Sequence, residues 1–240
     1  MRTYLSESST SLQPNQVHVW SLQKSQHEAR LLDYWCVLNH TERERALKYR
    51  FEKDRNNSIV ARGALRKLLG EYLLIAPEKI EFEFEEYGKP ALKGKSDMKF
   101  NVSHSGDTIV FAFVKKYNIG VDVEYTKREV EVRSVARHFF SEEEKMSLFA
   151  LNEDYHNQAF YNCWTRKEAF IKAVGSGLSF PLDQFVVSVD CAKEATLLDT
   201  KWDARERKNW VLKSFQPAPD YIGAVSVRGR VCDIQFKQFQ

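Results

Sequence analysis

Polar and apolar positions along the chain divide it into short strands and two long helices. Residues 15–22 alternate and predict a strand, because successive strand side chains face opposite sides. Thr41 and Glu44 have capping-box spacing, which predicts a strongly basic helix over 42–51. A longer helix is predicted over 54–74. Its Leu65, Leu68, Leu69 and Tyr72 recur at helical spacing toward a core, and Arg55, Arg62 and Arg66 form another stripe. Arg43, Arg45, Arg62 and Arg66 read mainly as a solvated face. Residues 80–85 alternate as a strand with one wet face, and 87–90 read as a turn. Strands over 99–102 and 108–114 are expected to form a hairpin around a 103–107 loop.

The second half follows the same order. A strand is predicted over 119–124, and Ser141 with Glu144 forms another capping box opening a short helix. A long helix is predicted over 155–174, with Phe160, Trp164, Ile171 and Val174 inward and Gly175 ending it. Five strands follow, over 185–189, 196–198, 210–215, 221–227 and 232–236. Strand, short helix, long helix and strands thus occur twice. This pattern predicts an α+β chain of two similar subdomains, 1–117 and 118–240, meeting near Tyr117 and Asn118.

Composition narrows the class. The 240 residues are 43% hydrophobic and 13% aromatic, enough for a sizeable core. No run of about eighteen apolar residues marks a membrane span. The first residues lack the apolar stretch of a signal peptide, so a cytoplasmic protein is expected. Cys36, Cys163, Cys191 and Cys232 are widely separated, which suits reduced, mostly buried thiols rather than a zinc site or disulfide frame. The net charge of +3 is compatible with an acidic partner and does not argue for nucleic acid.

Three segments carry candidate chemistry. In Gly120-Val121-Asp122-Val123-Glu124 the strand period sends both carboxylates to one side and both valines to the core. In the segment from Trp164 to Lys172, Glu168 and Lys172 stand four apart and share a helix face. Meeting across a strand and a helix, these groups would suit a hard divalent cation and the phosphate oxygens it carries. Lys167, adjacent to Glu168, reads as solvated. The third segment, Asn101-Val102-Ser103-His104-Ser105-Gly106, runs from an apolar strand into small polar residues of the kind that surround anions. Ser103 and His104 do not read as a nucleophile–base pair, since neighbours on an extended segment point apart.

Taken in order, Gly88-Lys89-Pro90, the Asn101–Ser105 segment, the Gly120–Glu124 segment, the Trp164–Lys172 segment and Gly175-Ser-Gly-Leu178 resemble the Sfp-type 4'-phosphopantetheinyl transferases. The resemblance covers about Gly88 to Leu178 and extends more weakly back to Arg50. It implies two α+β subdomains related by a pseudo-two-fold axis, with the active site between them. It implies a monomer that moves the 4'-phosphopantetheine arm of coenzyme A to a serine of an apo acyl or peptidyl carrier protein, releasing adenosine 3',5'-bisphosphate. On this reading Asp122, Glu124 and Glu168 hold Mg2+, an ion suited by an all-oxygen donor set. Glu168 is also the candidate base, and Lys172 pairs with a phosphate or protonates the leaving group. His104 contacts the 3'-phosphate, Ser103 and Pro90 help bind the nucleotide, Lys89 sits beside adenine and phosphate, and Arg50 binds the 3'-phosphate. The charged segment over 125–140 reads as an irregular surface that docks the carrier. The competing readings are another metal-dependent phosphodiester or nucleotide hydrolase, which needs only the carboxylates, and a non-catalytic coenzyme A- or carrier-binding module.

Overall fold

The computed structural model describes residues 11–231 and 233–240, so the N-terminal residues and Cys232 read above lie outside the described residues. The first half runs β1 (Gln16–Gln23), α1 (Leu31–Val37), α2 (His40–Leu47), α3 (Glu52–Leu73), β2 (Phe82–Phe84), β3 (Pro90–Leu92), β4 (Met98–Ser105) and β5 (Thr108–Lys115). The second runs β6 (Asn118–Tyr125), α4 (Val132–Phe139), α5 (Glu142–Phe149), α6 (His156–Val174), β7 (Phe185–Val187), β8 (Leu197–Thr200), β9 (Trp210–Phe215) and β10 (Tyr221–Arg228). A last strand, β11 (Asp233–Gln238), follows.

The halves match strand for strand. In the first sheet β1 neighbours β5, which neighbours β4; in the second β6 neighbours β10, which neighbours β9. All four pairings are antiparallel. β2 pairs with β3, and β7 with β8, as small separate ribbons. The chain is thus α+β, built from two similar units. β11 departs from the repeat: it crosses back to run parallel along β1, pairing Val17 with Ile234 and Val19 with Phe236.

Three apolar clusters follow from this order. One packs α3 through Leu65, Leu68 and Leu69 against Trp20, Phe111 and Phe113. A second packs α6 through Phe160, Phe170 and Ile171 against Phe185 and Leu212. The third joins the halves, with Val17, Val19, Val110 and Ala112 from the first sheet and Val121, Val123, Val225 and Val227 from the second. β6 alternates as expected, its valines in that shared core.

Several local expectations change. Asn39, not Thr41, caps α2: its side chain accepts from Glu42 N at 2.9 Å while Glu42 returns to Asn39 N at 3.0 Å. Arg66 is not solvated but fully buried, donating to Glu42 and to the Pro77 and Ile80 carbonyls. Burial works against ionised Glu42, but the hydrogen bond from Arg66 and the charge of Arg62 hold its carboxyl below the usual range. Lys167 is also buried: its ammonium lies 2.6 Å from Glu144, both side chains are fully enclosed, and it donates to the Phe185 carbonyl. Glu144 also keeps its expected capping role with Ser141. The 125–140 segment contains α4, with Val132, Val135, Ala136 and Phe139 on the second core at helical spacing. β4 runs on to Ser105, so Ser103 and His104 belong to a strand and the turn is only Gly106 and Asp107.

Candidate active site

One glycine sets how closely the two elements carrying the acids approach. A Cβ on Gly120 of β6 would lie 2.1 Å from the Ala169 carbonyl oxygen and 2.4 Å from Ala173 N of α6. Any side chain there drives α6 off the sheet. With glycine, the face of α6 bearing Glu168 and Lys172 lies against Asp122.

β4 flanks the other side of β6 with side chains in place of a backbone ladder. Asn101, Ser103 and Ser105 alternate along β4 and share a face. Asn101 Oδ1 accepts from Val121 N at 2.8 Å, and Ser103 Oγ donates to Asp122 Oδ1 at 2.8 Å. Ser105 Oγ donates to Glu124 Oε2 at 2.7 Å and accepts from Tyr125 N at 3.1 Å. Lys172 Nζ completes the group, donating to Asp122 Oδ1 at 2.6 Å and to Ser103 Oγ at 3.1 Å.

The electrostatics follow from crowding acids in a dry place. Asp122 is 3% exposed. Burial pushes the Glu168 carboxyl up to about 7, helped by the charges of Asp122 and Glu124 and opposed by Lys172. Burial also raises Glu124, with Asp122 adding to it and the Ser105 hydrogen bond opposing. Asp122 Oδ2 is buried and has no hydrogen-bond partner among the described residues. A partnerless buried carboxylate oxygen is costly. A hard cation would satisfy it, and the neighbouring donors are carboxylates of the kind such ions take. As the side chains stand, no three His, Cys, Asp or Glu groups among the described residues form a metal-holding set.

The opposite face of β4 carries Val102 and His104 into a cavity of about 560 Å3 that Lys24, Lys53, Arg62 and Pro90 also line. An adjoining hollow of about 460 Å3 shares Arg62 and Pro90 and adds Arg45, Lys48 and Phe84. The Arg62 guanidinium lies 3.9 Å over the Phe82 ring and binds Glu42. Burial lowers the pKa of His104, and the charges of Lys24 and Lys172 lower it further.

Thus Asp122, Glu124, Glu168, Lys172 and Ser103 come together, and His104 and Pro90 stand on the adjoining cavity. Ser103 is 7% exposed and its hydroxyl is engaged by Asp122 and Lys172, so it braces the acids. Lys89 also takes a different place: its ammonium donates to the Ile119 carbonyl at 2.8 Å and the Lys172 carbonyl at 2.7 Å, tying the hairpin to β6 and α6. Burial brings its pKa down to about 8. Arg50 lies against the Phe51 ring, and Arg45 and Arg62 supply the guanidiniums of the hollows. Sequence reasoning passed over Asn101 and Ser105, whose signal was polar alternation in step with Ser103. Lys24 and Lys53 carried no signal in sequence.

Two family models match the chain: the 4'-phosphopantetheinyl transferase superfamily over residues 118–226, and the N-terminal 4'-phosphopantetheinyl transferase family over residues 20–116. The chain is 31% identical over 222 residues to the 4'-phosphopantetheinyl transferase HetI of Nostoc sp., covering 91% of this chain and 90% of that one. It is 35% identical over 154 residues to the 4'-phosphopantetheinyl transferase Sfp of Bacillus subtilis, covering 64% and 67%. Among solved structures, the holo-[acyl-carrier-protein] synthase of Thermotoga maritima overlaps at a TM-score of 0.39 and 19% identity, over 47% of this chain and 63% of that one.

Proposed function

The chain belongs to the 4'-phosphopantetheinyl transferase superfamily, enzymes that transfer phosphopantetheine to carrier proteins, and from that membership we propose its substrate, its ion and its residue roles. The donor is coenzyme A and the acceptor is a serine hydroxyl of an apo acyl or peptidyl carrier protein. The serine oxygen forms a bond to the phosphorus carrying the pantetheine arm. The pyrophosphate P–O bond breaks, and adenosine 3',5'-bisphosphate leaves. The observation that carries this reading is the buried, partnerless Asp122 Oδ2 inside an all-carboxylate group capped by Lys172.

Asp122, Glu124 and Glu168 would hold Mg2+, which supplies charge neutralisation on the pyrophosphate oxygens. Glu168 also accepts the serine proton, directly or through a water, as a carboxylate at the reacting hydroxyl can. Lys172, paired with Asp122, directs positive charge toward the departing phosphate. Ser103 and Ser105 hold Asp122 and Glu124 in register. His104 meets the 3'-phosphate in the basic cavity, with Arg45 and Arg62 better sited than Arg50 to assist. α4, with Arg137 and His138 facing solvent, offers a surface for the carrier. On this reading the enzyme acts as a monomer. A cytoplasmic location belongs to this reading, although of the described cysteines only Cys163 is buried, and Cys36 and Cys191 are exposed against the expectation of mostly buried thiols.

The test is incubation with coenzyme A, Mg2+ and an apo carrier protein, followed by intact-mass measurement. The expected result is a carrier heavier by one phosphopantetheine and an equal amount of bisphosphate. Nucleotide release without carrier modification would assign a hydrolase, and binding without either product a non-catalytic module.

A further inference from the structure

Lys89 is half-buried and stands one residue before β3, in the first half of the chain. Its ammonium crosses to the second half, where it donates to the Ile119 carbonyl of β6 at 2.8 Å and the Lys172 carbonyl of α6 at 2.7 Å. Both acceptors are backbone groups at ends or edges. The last four carbonyls of a helix have no partner within it. α6 ends at Val174, and Gly175 N returns to the Ile171 carbonyl at 2.9 Å. The next carbonyl, that of Lys172, goes to Lys89, and a cation at a helix C-terminus is also favoured by the helix dipole. On β6, Ile119 stands two residues from Val121, whose N–H is received by Asn101. The two backbone groups share one edge of the strand. Lys89 thus adds to the side chains of the first half that line this edge.

Residue 172 is therefore held from two directions. Gly120 lets its backbone approach: a Cβ there would lie 2.9 Å from the Lys172 carbonyl carbon. Lys89 then ties the same carbonyl to Ile119, the residue before Gly120. The side chain leaving this anchored backbone is the one whose ammonium meets Asp122 Oδ1 at 2.6 Å and Ser103 Oγ at 3.1 Å. Burial, opposed by the charge of Glu85, brings the Lys89 pKa down to about 8, in keeping with an ammonium whose hydrogen bonds go to neutral dipoles. Pro90, the next residue, lines the cavity that holds His104, while the Lys89 ammonium is engaged by carbonyls.

We propose that Lys89 is a positioning residue of the transfer reaction: it clamps the Lys172 backbone to β6 and so fixes where the Lys172 ammonium stands over Asp122. The part played by Lys172 rests on the transfer reading; the clamp rests on the two carbonyl contacts alone. A residue that acts through the position of Lys172 changes the rate of the step Lys172 serves and leaves the affinity for coenzyme A nearly alone. A residue that touches the nucleotide itself lowers that affinity.

The experiment is a double-mutant cycle of Lys89→Met and Lys172→Met. Single-turnover carrier modification is followed by intact mass at saturating coenzyme A, and coenzyme A affinity by titration calorimetry, both well below the melting temperature of each variant. Methionine keeps the length of the lysine stem and removes its donors. Lys89→Met is expected to slow transfer about tenfold to hundredfold, the scale of a catalytic group misplaced by about 1 Å. Its coenzyme A affinity should stay within about threefold of native. Added to Lys172→Met, it should cost less than about threefold further, because no ammonium remains to be placed. A native rate in Lys89→Met overturns the proposal, whatever its melting temperature, and marks a structural lysine at most. Equal slowing in both backgrounds also overturns it, since the effect then does not pass through Lys172. So does an affinity that falls in step with the rate, which marks a ligand contact. Lys89→Gln, read through the same cycle, serves if the methionine variant does not fold. A native protein that modifies no carrier, or Lys172→Met at the native rate, overturns the reading on which the proposal rests. Slow Lys172→Met beside native-rate Lys89→Met overturns the clamp alone.

Discussion

At the scale of single residues, the acids on β6 and α6 are set by burial against charge. Replacing Asp122 with Asn keeps the shape and the hydrogen bond from Ser103, but removes the charge that faces Lys172 and the ion. Asp122→Asn is expected to cost more than about a hundredfold in transfer rate, or about 3 kcal/mol of transition-state stabilisation. Its melting temperature should remain within a few degrees of native. Full transfer in this variant would remove Asp122 from the site. Glu168→Gln separates two roles, because the amide keeps the shape but accepts no proton. Turnover should fall far more than coenzyme A affinity. A parallel fall in both would make Glu168 chiefly a ligand. A third residue prediction concerns acid. His18 is 1% exposed, and its Nδ1 lies 2.7 Å from Tyr72 Oη, which also accepts from Trp20 Nε1. With that acceptance in place, Tyr72 Oη donates to a neutral His18 Nδ1. Burial first, and the charge of Lys237 second, bring its pKa to about 4 from the ordinary 6.5. The neutral form belongs to the fold, so this stabilisation is complete above pH 6.5 and is lost as pH falls toward 4. The loss amounts to about 3 kcal/mol. Urea unfolding from pH 7.5 to 4.5 should show a steeper decline for native protein than for His18→Asn, whose side-chain oxygen accepts from Tyr72 without titrating.

At the scale of elements, α5 and α6 are joined by a buried ion pair that also serves as a cap. Glu144 satisfies the Ser141 backbone N–H, the Lys167 ammonium and the Val187 N–H at once. Truncating one partner of such a pair leaves a buried charge alone. Lys167→Ala is expected to cost about 3–5 kcal/mol by urea unfolding. A change below about 1 kcal/mol, the level of an exposed pair, would show that the pair contributes little. Gly120 governs the next contact. Gly120→Ala inserts a methyl where the Ala169 carbonyl stands, so α6 must shift and carry Glu168 and Lys172 with it. Here activity should fall further than stability.

At the scale of the whole molecule, the C-terminal strand closes the structure. β11 belongs by sequence to the second half, yet it pairs with β1 of the first. Its Phe236 packs on Phe215 of β9 at 5.0 Å, so it touches both sheets. Phe239 N then donates to the Ser21 carbonyl at 2.9 Å. With a core shared between the sheets and a strand crossing the division, the two halves should unfold in one calorimetric transition. Removing residues 233–240 should destabilise both halves together. Two separated transitions in the full chain would show that the halves are independent units.

Periodicity alone determined much of this protein. Strand alternation placed Asp122 and Glu124 together, helical spacing did the same for Glu168 and Lys172, and the order of elements revealed the doubled α+β plan. These are local properties, in which a residue's direction follows from its neighbours in the chain. Tertiary structure decided where long basic side chains end. Lys167 and Arg66 look like surface charges in sequence, and both are buried because a distant carboxylate or carbonyl receives them. The half-buried Lys89, expected beside a nucleotide, is likewise held by two distant carbonyls. It also decided the role of Asn101 and Ser105, whose partners lie about twenty residues away on β6, and the crossing of β11 to β1. No local pattern encodes such partners, since they are brought near only when the two sheets and α6 close on their shared core.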